Sequence, residues 1–148
     1  MYKHILLPTD GSPLAREAVL AGVKLAKTLG ARVTGFYAAP PATPIEYKGI
    51  FPVGYSDPAE REKLIARTAA TYLAVIEKAA TAAGVRCKVE HVISDFPADA
   101  IIDAAKKNKC DLIFMSTHGR RGLRKMSMLG TQTQQVLANS KIPVLVSR

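Results

Sequence analysis

The residues with the most chemistry in this chain fall in two short stretches, "PTDGS" at 8–12 and "STHGRRGLRKMSMLGTQT" at 116–133. The second sets Gly119, Gly122 and Gly130 among four cations, Arg120, Arg121, Arg124 and Lys125, between an apolar run and a stretch with helical spacing. Free backbone N–H groups at the start of that helix, near Gly130, together with the positive end of its dipole, can hold an anion. A charged group there gains about 0.3–1 kcal/mol, or up to about 2 kcal/mol when partly buried, so several such contacts are needed for micromolar affinity. The same composition also suits a solvated surface loop or a basic patch for nucleic acid, and the loop alone leaves all three readings open. Asp10 has two readings as well. At the end of a strand its carboxylate can accept both hydroxyls of a ribose, and within "TDGS" it can accept neighbouring backbone N–H groups; the two uses can coexist.

Several alternatives are disfavoured by what is missing. The first strand is not followed by GxGxxG, and no G-x-x-x-x-G-K-[ST] loop occurs. Position 8, where phosphotransferases with a similar turn carry a nucleophilic aspartate, is Pro8. No Ser–His–Asp or Cys–His constellation stands out, so no catalytic residue is assigned and a dedicated hydrolase is disfavoured. His4, His91 and His118 are scattered, and Cys87 and Cys110 form no CxxC pair, so no metal site is expected. Both cysteines read as buried thiols of a reducing compartment.

The elements that must position the two stretches follow from periodicity. Residues 3–8 form a short apolar strand, and Ser12 with Pro13 starts a helix whose inward face is Ala15, Ala18, Val19, Gly22, Leu25, Ala26 and Leu29, stopped by Gly30. A second strand covers 31–39. The proline-rich connector at 40–58 has no periodic pattern, and Asp57, Pro58 and Glu60 then open the longest helix, with Leu64, Ile65, Tyr72, Leu73, Ile76, Ala79, Ala80 and Ala83 inward to Gly84. A half-covered strand at 85–93, a helix at 97–108 with Ala100, Ile101, Ala104 and Ala105 inward, and an apolar strand at 111–116 lead to the glycine loop. A short helix over 130–140 and a last strand at 142–147 end the pattern. Strands separated by helices predict an α/β fold, an open doubly wound parallel sheet of five strands with helices on both faces. In such sheets ligands bind beyond the carboxyl ends of strands where the order reverses. The first strand and the strand at 111–116 are the expected neighbours across that point, which turns "PTDGS" and "STHG" towards one crevice.

The 148 residues fit one domain, 1–148. Apolar runs such as "LIFM" at 112–115 are too short to cross a membrane or to act as a signal-peptide core, so a cytoplasmic location without membrane contact is expected. The formal charge of +9 favours anionic partners without saying which. No aromatic pair accompanies the arginines, so nucleic acid ranks last among them.

The stretches "HILLPTDGS", "LIFMSTHGRRGL", "LGTQTQQVL" and "IPVLVSR" resemble the universal stress protein family, over Met1 to Arg148. The resemblance implies a Rossmann-like fold of the adenine nucleotide alpha hydrolase type, with ATP or a related adenine nucleotide, and Mg2+ where the nucleotide brings it, as ligand. It implies a stress-response sensor or regulator acting on an unknown protein partner, with at most slow ATP hydrolysis. Carried over residue by residue, Asp10 holds the ribose with Pro8 and Thr9 flanking it, and Ala38 meets the base. Met115, Ser116, His118, Gly119, Arg120 and Gly122 line the phosphate loop, and Gly130, Thr131 and Gln132 begin the following helix. Two departures stand out. The family motif is G-x-x-G, nine residues, then G and Ser or Thr; here Ser116 replaces the first glycine and ten residues separate Gly119 from Gly130. A variant that has lost nucleotide and serves as an interaction module is the alternative. The apolar strand at 142–147 would be a sheet edge, and the family resemblance implies a two-fold homodimer joined there.

Overall fold

The computed structural model describes residues 1–41, 45–48, 51–55, 57–118 and 129–148. In chain order the elements are β1 (His4–Pro8), α1 (Pro13–Leu29), β2 (Arg32–Ala39), β3 (Ile45–Lys48), β4 (Phe51–Tyr55), α2 (Pro58–Ala83), β5 (Cys87–Ile93), α3 (Pro97–Lys107), β6 (Leu112–Ser116), α4 (Thr131–Asn139) and β7 (Val144–Ser147). Five strands make one parallel sheet in the order β5-β2-β1-β6-β7, the doubly wound Rossmann-like arrangement that the alternation of strands and helices predicts. The order reverses at β1. From there the chain runs outward through β2 to β5, then returns past β1 to β6 and β7.

The centre of the sheet is apolar on both faces because helices cover both. Along β1, Ile5 and Leu7 point into a cluster with α1 and α2, and Leu6 points the opposite way into a cluster with α3 and α4. β6 alternates likewise, with Leu112 and Phe114 in the first cluster and Ile113 and Met115 in the second. Ile5, Leu6, Leu7 and Ile113 are wholly inaccessible, and burying each such side chain contributes about 1.5–3 kcal/mol. Shortening one of them would leave a hole with helices above and below it.

Local signals set the helix ends as expected. Ser12 caps α1 by accepting the Ala15 N–H at 3.2 Å, and Asp57 caps α2 by accepting the Ala59 N–H at 3.4 Å, each with proline in the first turn. Gly30 and Gly84 end the same two helices in the left-handed region. α3 ends differently. Lys109 takes a φ of 56°, and Cys110 N–H donates back to the Ala105 carbonyl at 2.8 Å.

Three expectations need correction. The connector is not wholly irregular, because β3 and β4 pair antiparallel within it, with a register shift between Glu46 and Tyr47. Alternation is hidden there by Pro52 and by the short strands on which the pattern would have to show. Leu64 is exposed rather than inward. At 1.5 Å per residue the 26-residue α2 is about 39 Å long, whereas the eight-residue β2 spans about 26 Å, so the first turns of α2 overhang the sheet and burial starts at Ala69. Cys87 is only half-buried, because β5 is an edge strand; Cys110 is buried, and burial pushes its thiol up to about 11. Among the described residues no helix is long and apolar enough to cross a membrane.

A lysine in the left-handed region carries a steric penalty that glycine avoids. Lys109→Gly is therefore expected to raise stability by about 0.5–1 kcal/mol, seen as a higher urea midpoint with an unchanged denaturant slope.

Candidate functional site

The carboxyl ends of β1, β2 and β6 form the crevice. β1 pairs with β6 at Ile5–Leu112 and Leu6–Ile113, and that register brings Thr9 level with Ser116 and Asp10 level with Thr117 beyond the strand ends. On the other side Pro8 pairs with Phe36, and Thr9 N–H donates to the Phe36 carbonyl at 2.9 Å, which extends the β1–β2 ladder by one rung. Ala38, two residues on, is partly exposed near the carboxyl end of β2.

The β1–α1 turn is built by its own side chains. Thr9 Oγ1 accepts the Gly11 N–H at 3.1 Å and Asp10 Oδ1 accepts the Ser12 N–H at 2.9 Å. Asp10 is thus held as a turn residue while staying partly exposed, so the turn reading of this residue is realised without excluding a ligand. Gly11 has a φ of 77°, and a Cβ there would run into the ring of Tyr72 on α2. Tyr72 in turn packs edge-on against Tyr37 of β2, with ring centroids 5.1 Å apart. The aromatic pair and the bare backbone of Gly11 together fix where the Asp10 turn lies, a contact across 61 residues that no local pattern announces.

On the β6 side, three consecutive polar residues, Ser116, Thr117 and His118, are buried. Burial of polar groups requires partners, and the backbone and α4 supply them. Ser116 Oγ donates to the His118 carbonyl at 2.8 Å, and His118 Nδ1 lies 3.1 Å from Thr117 Oγ1. Thr133 Oγ1 donates to the Ser116 carbonyl at 2.9 Å, and Gly130 N–H donates to the Thr117 carbonyl at 2.8 Å. A Cβ on Gly130 would come within 3.2 Å of both His118 Cα and the Thr117 carbonyl, so this position needs glycine for close approach to the loop. These contacts anchor the start of α4 directly beneath the end of β6.

Two residues expected at the ligand have side chains directed elsewhere. Gln132 Oε1 accepts the Ala98 N–H at 3.0 Å and so caps the first turn of α3, which Phe96 at its N-cap leaves without a side-chain bond. Met115 is packed in the apolar cluster under α3 and α4. Met115 could meet a ligand there only through backbone. Thr131 is the first residue of α4, where N–H groups lack intrahelical acceptors. Gly119, Arg120 and Gly122 lie outside the described residues, as do Arg121, Arg124 and Lys125. Sequence reading missed Thr133 and Tyr72. Thr133 could have been found as a polar residue on the inward face of a short amphipathic helix; the spacing of α2 marks Tyr72 only as core.

The model of the universal stress protein family matches residues 1–148. A universal stress protein of Methanocaldococcus jannaschii, MJ0531, is 32% identical over 151 residues, covering 99% of this chain and 82% of the relative. The solved structure of MJ0577, described as a structure-based assignment of biochemical function, superposes with a TM-score of 0.75 at 27% identity, covering 99% of this chain and 95% of that one. A universal stress protein in complex with cAMP has the same fold, with a TM-score of 0.74 at 22% identity, covering 99% and 97% of the two chains.

Gly11→Ala is expected to destabilise by about 2–4 kcal/mol, combining the left-handed backbone penalty with overlap on Tyr72. Adding Tyr72→Ala to it should cost less than the two single changes summed, because the overlap is then relieved; a double-mutant cycle in urea measures this.

Proposed function

This chain belongs to the universal stress protein family, and on that premise we propose that it binds ATP or a related adenine nucleotide in the crevice at the carboxyl ends of β1, β2 and β6. The observation that carries the reading is the meeting, across the β1–β6 pair at the point where strand order reverses, of the Asp10 turn with the start of α4. The complex of a relative with cAMP supports the ligand class. Asp10 would accept the ribose hydroxyls, Pro8 and Thr9 would frame them, and Ala38 would lie against the base. The phosphates would meet Ser116, His118 and the backbone at Gly130, Thr131 and Gln132, with Met115 contributing backbone alone and Gly119, Arg120 and Gly122 completing the loop. Magnesium would enter with the phosphates. The protein would act, as a single domain over 1–148 in the cytoplasm, as a sensor or regulator that changes a partner protein's activity with nucleotide occupancy, with at most slow ATP hydrolysis.

A second reading is an interaction module of the same fold without nucleotide. Two hydrogen bonds favour it: Ser116 Oγ and Gly130 N–H both satisfy carbonyls of this same turn, so groups that could face a phosphate are already engaged with the chain.

Homodimerisation through β7 is part of the proposal. β7 is an edge strand, Leu145 on it is 39% exposed, and Leu137 on the neighbouring α4 is 40% exposed. A second copy related by a two-fold axis would cover them.

Protein purified from cells and then denatured is expected to release an adenine nucleotide, and calorimetric titration with ATP should give saturable heat that Asp10→Ala reduces at least about tenfold, a change worth about 1.4 kcal/mol. No released nucleotide, and no heat with or without magnesium, would leave the interaction module. In that event Ser116→Gly combined with deletion of one residue within 123–128 should create ATP affinity. Sedimentation is expected to give a dimer, and Leu145→Lys a monomer.

A further inference from the structure

At the opposite edge of the sheet, where β1, β2 and β5 begin, the chain has a cavity of about 250 Å³ lined by His4, Arg32, Arg86, Cys87, Lys88 and Asn108. Its cations are brought together by strand register. Val33 pairs with Cys87 and Thr34 with Lys88, and Val33 N–H donates to the Arg86 carbonyl at 2.9 Å, so Arg32, Arg86 and Lys88 crowd one corner of the sheet. All three are exposed, and among the described residues none of them forms an ion pair. Two carboxylates of the same neighbourhood are engaged by other donors. Glu90 accepts from Asn108 Nδ2 at 2.7 Å and lies 4.0 Å from Lys107 Nζ, and Asp111 accepts the backbone N–H groups of Lys3 and His4. Three cations held close together repel each other; at His4 the charges of Arg32 and Lys88 each outweigh that of Asp111, and an anion between the cations removes the remaining repulsion.

His4 adds a second, independent observation. It is 4% exposed, with Nε2 2.7 Å from Thr34 Oγ1, and its Nδ1 is buried without a well-formed hydrogen bond among the described residues, the Asn108 carbonyl lying close to the ring. Burial, then the charges of Arg32 and Lys88, hold its pKa below 6.5, against the opposing pull of Asp111 and the Asn108 carbonyl. The imidazole therefore lies within the field of the same cations that line the cavity.

We propose that this cavity is an anion site, separate from the nucleotide crevice, for a small phosphate-bearing ligand of the size of inorganic phosphate or a compact phosphate monoester. A water molecule's share of liquid volume is about 30 Å³, so the space admits a phosphate with a few waters or a small organic group. Arg32 and Arg86 supply forked donors suited to phosphate oxygens and Lys88 a point charge. The buried imidazole forms part of the wall, and it charges more readily once the anion offsets the cations.

The test is titration of the full chain with inorganic phosphate at constant ionic strength, followed by amide NMR. Saturable shifts are expected at residues 32–34 and 86–88 and at the His4 ring. Arg32→Gln combined with Arg86→Gln, both exposed and so compatible with folding, should weaken phosphate about tenfold, whereas Lys63→Gln on α2 should leave it unchanged. Sulfate, whose charge is constant over the range, should raise the His4 pKa, moving towards higher pH the point below which the neutral imidazole's contribution to stability is lost. Shifts that chloride reproduces equally, shifts confined to the start of α4, or unchanged affinity in the double variant would each overturn the proposal.

Discussion

The parallel pairing of β1 with β6 is the constraint on which the rest of the molecule depends. β1 is five residues long, is buried on both faces and is the strand from which the chain departs in both directions across the sheet. Its hydrogen bonds to β2 on one side and β6 on the other fix both ends at once. At the carboxyl ends it sets Asp10 level with Thr117; at the amino ends it sets His4 beside Arg32 and, through β2, near Lys88. Two helices on each side hold it in place by apolar burial alone, since every side chain from Ile5 to Leu7 is inaccessible. A slip of one residue would exchange Leu6 with its neighbours between the two apolar clusters and separate the turn from α4.

The two ends of the sheet treat polarity differently. At the carboxyl ends the polar groups satisfy one another: Thr133 reaches Ser116, Gly130 reaches Thr117, and the partly exposed Thr9 and Asp10 bond their own turn. Such a network defines the shape of the crevice before any ligand arrives, and its hydrogen bonds must be kept or exchanged when one does. At the amino ends Arg32, Arg86 and Lys88 form no ion pair among the described residues, and His4 keeps a buried ring nitrogen without a well-formed hydrogen bond among them. Preorganisation at one end and unbalanced charge at the other arise from the same five strands.

Much of this was legible in the sequence because the signals are local. Ser12–Pro13, Asp57–Pro58, Gly30 and Gly84 mark helix ends by backbone requirements that hold in any fold, and the apolar runs at β1 and β6 announce strands covered on both faces. The pairing of those two strands, and hence the facing of "PTDGS" and "STHG", followed from strand–helix alternation. Other features carry no local mark. Leu64 fits the apolar stripe of α2 yet overhangs the sheet, and Cys87 is half-exposed because its strand lies at an edge. The β3–β4 pairing was hidden by Pro52 and short strands.

By itself the sequence determined the family, the order of the strands and helices of the main sheet, its doubly wound form and the two motifs that meet at its reversal point. Propensity, capping and periodicity act over a few residues, and they are written residue by residue. Only the tertiary structure decided what those motifs touch. Tyr72 closes on Gly11 from a helix 61 residues away, Gln132 turns to cap α3, and Thr133 ties α4 to the end of β6. It also decided that Arg32, Arg86 and Lys88 stand together. Contacts of that kind depend on strand register and helix length, which are fixed when the whole core packs and not by any segment alone.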